Sequence, residues 1–224
     1  MTLLTISDCS KPALNSKGLR PVGQHYTVLQ AMRTATFLKI TLGLFACGFS
    51  MNLLGTHGMP MLMDHGFDAT TSALGIGLIG VVAIPSTVVL GRLADRIPRR
   101  KLLAAIYCVR GFGFFSLLLA GSTLELYGTS VIGGIAWAGS IALSSAILAD
   151  IYGVRLVGVL YGWAYLGHQV GAAISSWLGG WGFEHLGTHW LAFGLAGALL
   201  MLASGVALLL PGKAAPAPAR ASTA

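Results

Sequence analysis

Apolar residues fall in six long blocks separated by short polar stretches. The blocks cover residues 37–56, 72–90, 102–120, 127–148, 156–178 and 190–210. Each has about the 20 residues that an α-helix needs to cross a hydrocarbon layer of roughly 30 Å. None alternates with period two, and each is about twice the length of a barrel strand, so the pattern predicts spanning helices rather than a β-barrel. The domain reading follows: a polar lead over 1–36, a transmembrane domain over 37–210, and an Ala/Pro-rich, disordered tail over 211–224. Within the lead, Val28, Leu29 and Met32 share one side of a stretch that reads as a short interfacial helix over 28–36.

Composition agrees. Apolar residues make up 55% of the 224 and charged residues 9%, where a soluble domain carries about a quarter charged. The formal charge of +7 does not mark a nucleic-acid binder, because the basic residues lie between apolar blocks and not along one amphipathic face. Their placement predicts topology. Lys11, Lys17, Arg20, Arg33 and Lys39 precede or open the first block, and Arg92, Arg96, Arg99, Arg100 and Lys101 lie between the second and third. Arg155 follows the fourth, and Lys213 and Arg220 follow the last. The alternate loops hold Asp64, Asp68, Glu125 and Glu184 but no Lys or Arg. The positive-inside rule then puts both termini in the cytoplasm. Cys9, Cys47 and Cys108 have no metal-ligand or disulfide spacing. No P-loop is present, so neither ATP hydrolysis nor a cofactor is indicated.

The loop Gly91-Arg-Leu-Ala-Asp95-Arg96-Ile-Pro98-Arg99-Arg100-Lys101 resembles the signature loop of the major facilitator superfamily. Glycine there permits close helix approach, the aspartate can accept from a helix N-terminus, and arginines hold an anionic membrane face. Proline stands at position 98 where the family usually has glycine. Thr34–Phe37 resembles the run that precedes the seventh helix in bacterial members, while the segment from Thr56 to Phe67, the run Ala149-Asp150 to Gly158, and His168-Gln169-Val-Gly171 are similar to the monocarboxylate-porter-like branch. The resemblance implies an all-α membrane fold in which six helices form two inverted three-helix repeats, half of the twelve-helix transporter. It also implies a bacterial cytoplasmic membrane as location. Gly91, Asp95 and Pro98 are echoed in spacing by Gly180, Glu184 and Gly187. The implied function is secondary active transport of a small organic solute, an organic anion and proton-coupled, by alternating access, with gating residues Gly91, Asp95, Arg96, Arg99 and Arg100. The partners are then the bilayer, the solute, and a missing N-terminal half or a second subunit; a truncated product and a genuine six-helix subunit both fit.

By the same resemblance the first, second, fourth and fifth spans line the central cavity, with the third and sixth as outer supports. Gly158-xxx-Gly162 and Gly167-xxx-Gly171 are spacings for close helix packing, and Pro85 is a candidate kink. Intramembrane polar residues face a cavity or the protein interior. Tyr161, Tyr165, His168 and Gln169 fall together on the fifth span, with His168 near its centre and in the titration range for proton coupling. A neutral histidine bonded to a neighbouring helix is the alternative. Arg110 is the one charge deep in a block. It reads as a carboxylate anchor or as a structural residue that snorkels or pairs with Asp150. Asn52 in the first span and Trp137 in the fourth complete the candidates, each with helix packing as the alternative. The rival functions are a non-transporting membrane scaffold and, remotely, an intramembrane hydrolase. For the latter no Gly-x-Ser-Gly stretch accompanies His168.

Overall fold

The structure, a computed structural model, describes residues 26–212. The polar lead up to residue 25 and the tail beyond residue 212 lie outside them. The described residues form eight helices and no strand: α1 (Val28–Met32), α2 (Ala35–Asp64), α3 (Ala69–Arg96), α4 (Arg99–Leu119), α5 (Thr123–Ile135), α6 (Gly139–Tyr152), α7 (Val154–Leu186) and α8 (Trp190–Leu208).

Helix ends are set by local chemistry and not by the hydrocarbon boundary. The interfacial helix expected over 28–36 is the short α1, closed by a capping box between Thr27 and Gln30. Thr34 then opens α2 by accepting from Phe37 N–H. Asp68 opens α3 by accepting from Thr70 and Thr71 N–H. Gly153 and Gly187, at φ 84° and 64°, make turns that a side chain would strain. The stretch from Gly91 to Lys101, expected as a loop, is almost entirely helical: only Ile97 and Pro98 separate α3 from α4. Pro98, at φ −53°, sits just before the first turn of α4, where a missing N–H is tolerated. α3 runs unbroken through Pro85, and α2 through Pro60.

The predicted fourth span differs most. It is two helices, α5 and α6, interrupted at Ala136, Trp137 and Ala138. Ala136 and Trp137 donate to Gly133 O and Gly134 O in tight turns of 3.2 Å each. Gly133, Gly134 and Gly139 flank the break, and glycine weakens a helix by about 1 kcal/mol relative to alanine. Two of them are also needed for packing. A Cβ on Gly134 would meet Val82 and Ile79 of α3, and one on Gly139 would meet Leu90 and Ile106.

Five stretches are long and apolar enough to cross a membrane: α2, α3, α4, α5–α6 together, and α8. α7 is longest, at 33 residues, but Tyr, His, Gln and Ser dilute its hydropathy. Its place as a sixth span rests on length and packing. The main helix pairs are α2 with α7, α3 with α5, and α4 with α8. Exchanging the first three spans for the last three maps the first pair onto the second and the third onto itself. Three crossings invert the direction of the second triplet, so this pairing has the symmetry of inverted three-helix repeats. The core is apolar side chains of α2, α4 and α8, including Leu44, Phe49, Tyr107, Phe114, Phe193 and Leu200. α3 is the outlying helix, with 17% of its span buried against 61% for α2.

Candidate functional site

The site begins where α2 and α7 cross. A Cβ on Gly48 would collide with the His168 carbonyl, and one on Gly171 with the Phe45 carbonyl. Glycine at both places lets the two backbones touch, as the Gly167-xxx-Gly171 spacing predicts. Gly158 and Gly162 instead have open space around them, so that pair does not pack here. Asn52 Nδ2 donates to Ala172 O at 2.8 Å and Ser176 Oγ at 2.6 Å. His57 Nε2 lies 3.0 Å from Ser176 O. Asn52 thus serves the crossing.

Behind the crossing lies a polar cluster inside the domain. Arg110 projects inward from α4 and is 1% exposed. It does not snorkel and does not pair with Asp150. Its Nη1 donates to Cys47 Sγ at 3.2 Å and Ser140 Oγ at 3.3 Å, and its Nη2 to Ser50 Oγ at 2.8 Å. The guanidinium carbon stands 5.1 Å over the Trp137 ring, a cation–π geometry. Cys47 Sγ and Ser140 Oγ are 3.2 Å apart. The break in the fourth span therefore delivers Trp137 and Ser140 to the arginine. Arg110 Nε and His168 Nε2 are buried without hydrogen-bond partners. Arg110 and Trp137 also line a cavity of about 20 Å³ with Ile79, Phe114 and Ser130, room for one water.

His168, near the middle of α7, is buried, and its ring stacks on Tyr165 at 4.6 Å and 11°. Tyr165 in turn lies against Tyr161, the rings tilted by 31° with centroids 5.7 Å apart. His168 Nδ1–H donates to Gln169 Oε1 at 3.1 Å. Gln169 itself is exposed. So the structure joins Tyr161, Tyr165, His168 and Gln169 in one row on α7, and Arg110 with Trp137 in the interior. Cys47, Ser50 and Ser140 were not singled out from sequence: Ser140 shares a helix face with Trp137 but serines often bond their own helix carbonyls, and Cys47 and Ser50 carry no signal until the neighbour across the bundle is known.

At the signature-loop end the acid that pairs is Asp150, with Arg99 at 2.7 Å. Arg99 also donates to Ala146 O at 3.2 Å, joining α4 to α6. Asp95 is exposed and takes no part in an ion pair among the described residues. It lines an open groove of about 690 Å³ with Arg96, Arg99, Arg100 and Asp150. Arg100 donates to Leu210 O at 2.9 Å and Lys39 to Leu209 O at 3.1 Å. Two basic side chains thus complete the C-terminal carbonyls of α8, as the helix dipole favours. At the opposite end His189 Nε2 lies 3.0 Å from Asp64 Oδ2. Burial pulls His189 below the ordinary histidine range, against the opposing pull of Asp64.

Among curated proteins, the chain is 28% identical over 148 residues to an uncharacterized MFS-type transporter, YcxA, of Bacillus subtilis (strain 168), covering 63% of this chain and 36% of that protein. It is 28% identical over 160 residues to a gallate transporter of Pseudomonas putida, covering 70% of this chain and 34% of that protein. The chain spans about a third of the length of both relatives. The sequence profile of the Major Facilitator Superfamily matches residues 17–224. With its all-helical, membrane-crossing fold and paired triplets, this chain belongs to the major facilitator superfamily of transporters.

Proposed function

We propose that this chain supplies the C-terminal six-helix half of a secondary active transporter for a small organic anion, working by alternating access with both termini cytoplasmic. The observation that carries this reading is the fully buried Arg110 guanidinium, beside the break in the fourth span, with no carboxylate in reach among the described residues. A buried cation calls for an anionic partner, and broken helices near the membrane centre recur in transporter binding sites. The similarity to a gallate transporter agrees, since gallate is a carboxylate.

The wall facing the pathway is the row Tyr161–Tyr165–His168–Gln169, with Asn52 alongside. Aromatic faces there stack on an aromatic or planar solute, and Gln169 offers amide hydrogen bonds. His168 is the histidine of this wall and the group in it that can carry a coupled proton. Gly91, Asp95, Arg96, Arg99 and Arg100 serve as the cytoplasmic gate, where the Arg99–Asp150 pair ties α4 to α6 in the state seen here. α3 and α7 leave broad apolar faces open, including Val81, Ile84, Val88, Leu166 and Val170. These are the faces an N-terminal half would cover.

The test is reconstitution in liposomes with and without an N-terminal six-helix half, following counterflow of radiolabelled gallate. The pair should exchange label, this half alone should not, and His168→Ala should remove the pH dependence. Saturable uptake by this half alone would refute the reading.

A further inference from the structure

Arg110 is buried without an acidic partner among the described residues. Of the chain's seven carboxylates, six are described, and none approaches Arg110. Asp64 pairs with His189 and Asp150 with Arg99. Asp68 and Glu125 cap helices, and Asp95 and Glu184 are exposed near helix ends. An uncompensated charge in the interior is costly enough to destabilise a domain. Serine hydroxyls and an aromatic face lower that cost but do not cancel a unit charge.

One contact of Arg110 can ionise. Cys47 Sγ is fully buried, 3.2 Å from Arg110 Nη1 and 3.2 Å from the Ser140 hydroxyl. Facing Cys47 are Arg110 and Tyr107 from α4, His168 and Tyr161 from α7, and uncharged Ser140 from α6. Among the neutral groups, a thiol gives up its proton at about 8.5 and a phenol at about 10 in water. Tyr107 OH makes no hydrogen bond, so the sulfur is both the more acidic group and the one in contact. His168 lies beside it, with Nδ1–H committed to Gln169 and Nε2 buried and without a partner. That nitrogen is a buried proton acceptor with no competing partner, on a ring that interacts with the thiol.

We propose that Cys47 is a proton-binding site of this half, ionised to a thiolate that serves as the counter-charge of Arg110. In forming it, the S–H bond breaks, the electron pair stays on sulfur, and the proton passes to His168 Nε2 and on to solvent at the Gln169 face. The thiolate then accepts from Arg110 Nη1–H and Ser140 Oγ–H. Protonation of Cys47 reverses this and leaves Arg110 without a counter-charge, open to an anion. That consequence rests on the transport reading, whereas ionisation of Cys47 does not.

The test is vibrational spectroscopy of the full chain carrying Cys9→Ser and Cys108→Ser, which leaves Cys47 as the sole cysteine. The S–H stretching band should be absent at neutral pH and return at neutral pH when Arg110→Gln is added. Cys47→Ser in the same background gives the blank. A full S–H band at neutral pH with Arg110 intact overturns the proposal, whatever the transport assays show. A band absent both with Arg110 intact and in Arg110→Gln also overturns it, since the arginine would then not be what holds the charge. If Arg110→Gln does not fold, the first measurement stands alone, and Arg110→Lys, which keeps the charge, should still show no band.

Discussion

The Arg110 guanidinium stands 5.1 Å over the ring of Trp137, a residue that interrupts the fourth span. The break and the buried charge are one arrangement. A continuous helix through 136–138 would turn Ser140 and Trp137 to other azimuths, and the arginine would lose two of its contacts. Trp137→Leu should therefore lower thermal stability in detergent by about 1–2 kcal/mol, the value of a desolvated cation–π contact. Trp137→Phe should recover about half of that. Equal melting of Trp137→Leu and the parent would mean that the ring contributes no electrostatic stabilisation.

Two glycines of similar sequence context should behave in opposite ways. Gly48→Ala forces a methyl group onto the His168 carbonyl, and backbone cannot yield as a side chain can. Overpacking of this kind costs about 1–3 kcal/mol, and the α2–α7 crossing should loosen. Gly158→Ala enters open space in α7 and should be neutral or stabilising by up to about 1 kcal/mol from helix propensity. Melting curves of both variants decide the matter, and a Gly48→Ala protein as stable as the parent would contradict the crossing geometry.

The acids of the signature-loop end should also separate. Asp150→Asn removes the partner of Arg99, about three-quarters shielded from solvent on each side, and a partly exposed pair of this kind contributes about 0.3–1 kcal/mol. Asp95→Asn should leave the stability of this chain unchanged, because Asp95 is exposed and outside the ion pair. In a complete transporter the same change should slow exchange more than it weakens binding, since the groove at Asp95 lies at a helix end, far from the membrane centre. Exchange rates and equilibrium binding measured together test this; lost binding with normal exchange would relocate the site.

The Asp64–His189 end gives a pH dependence with a definite sign. Burial lowers the His189 pKa in the native state. Below the ordinary histidine value of about 6.5, the unfolded chain therefore binds more protons than the folded one, and stability falls as the pH drops through that window. The melting temperature should decrease from about pH 7 to about pH 5, and His189→Gln should reduce that decrease. An unchanged slope in His189→Gln would assign the acid sensitivity to other groups.

Much of this was legible along the chain. Spans, an all-helical membrane fold and the signature loop are properties of local composition, because lipid selects runs of about 20 apolar residues. His168 with Tyr161 and Tyr165 was legible too, since residues three and four apart share a helix face. The candidate pairing of Arg110 with Asp150 failed because a charge deep in the third span was matched to one at the end of the fourth without knowledge of azimuth. Arg110 turns inward, and Arg99 takes Asp150. α2, α3 and α7 run past their apolar blocks at both ends because caps and glycine turns, not hydropathy, stop a helix. The break at Trp137 had a signal in Gly133, Gly134 and Gly139, but glycine is common throughout this chain, at 31 residues, so the signal did not stand out. What only the tertiary structure decided is which buried polar atoms meet: Cys47 and Ser50 from α2, Arg110 from α4, Ser140 from α6. Each is a small or isolated polar group in a largely apolar helix, and the free energy of burying it depends on partners 30 to 63 residues away in sequence, a distance over which no local pattern carries information.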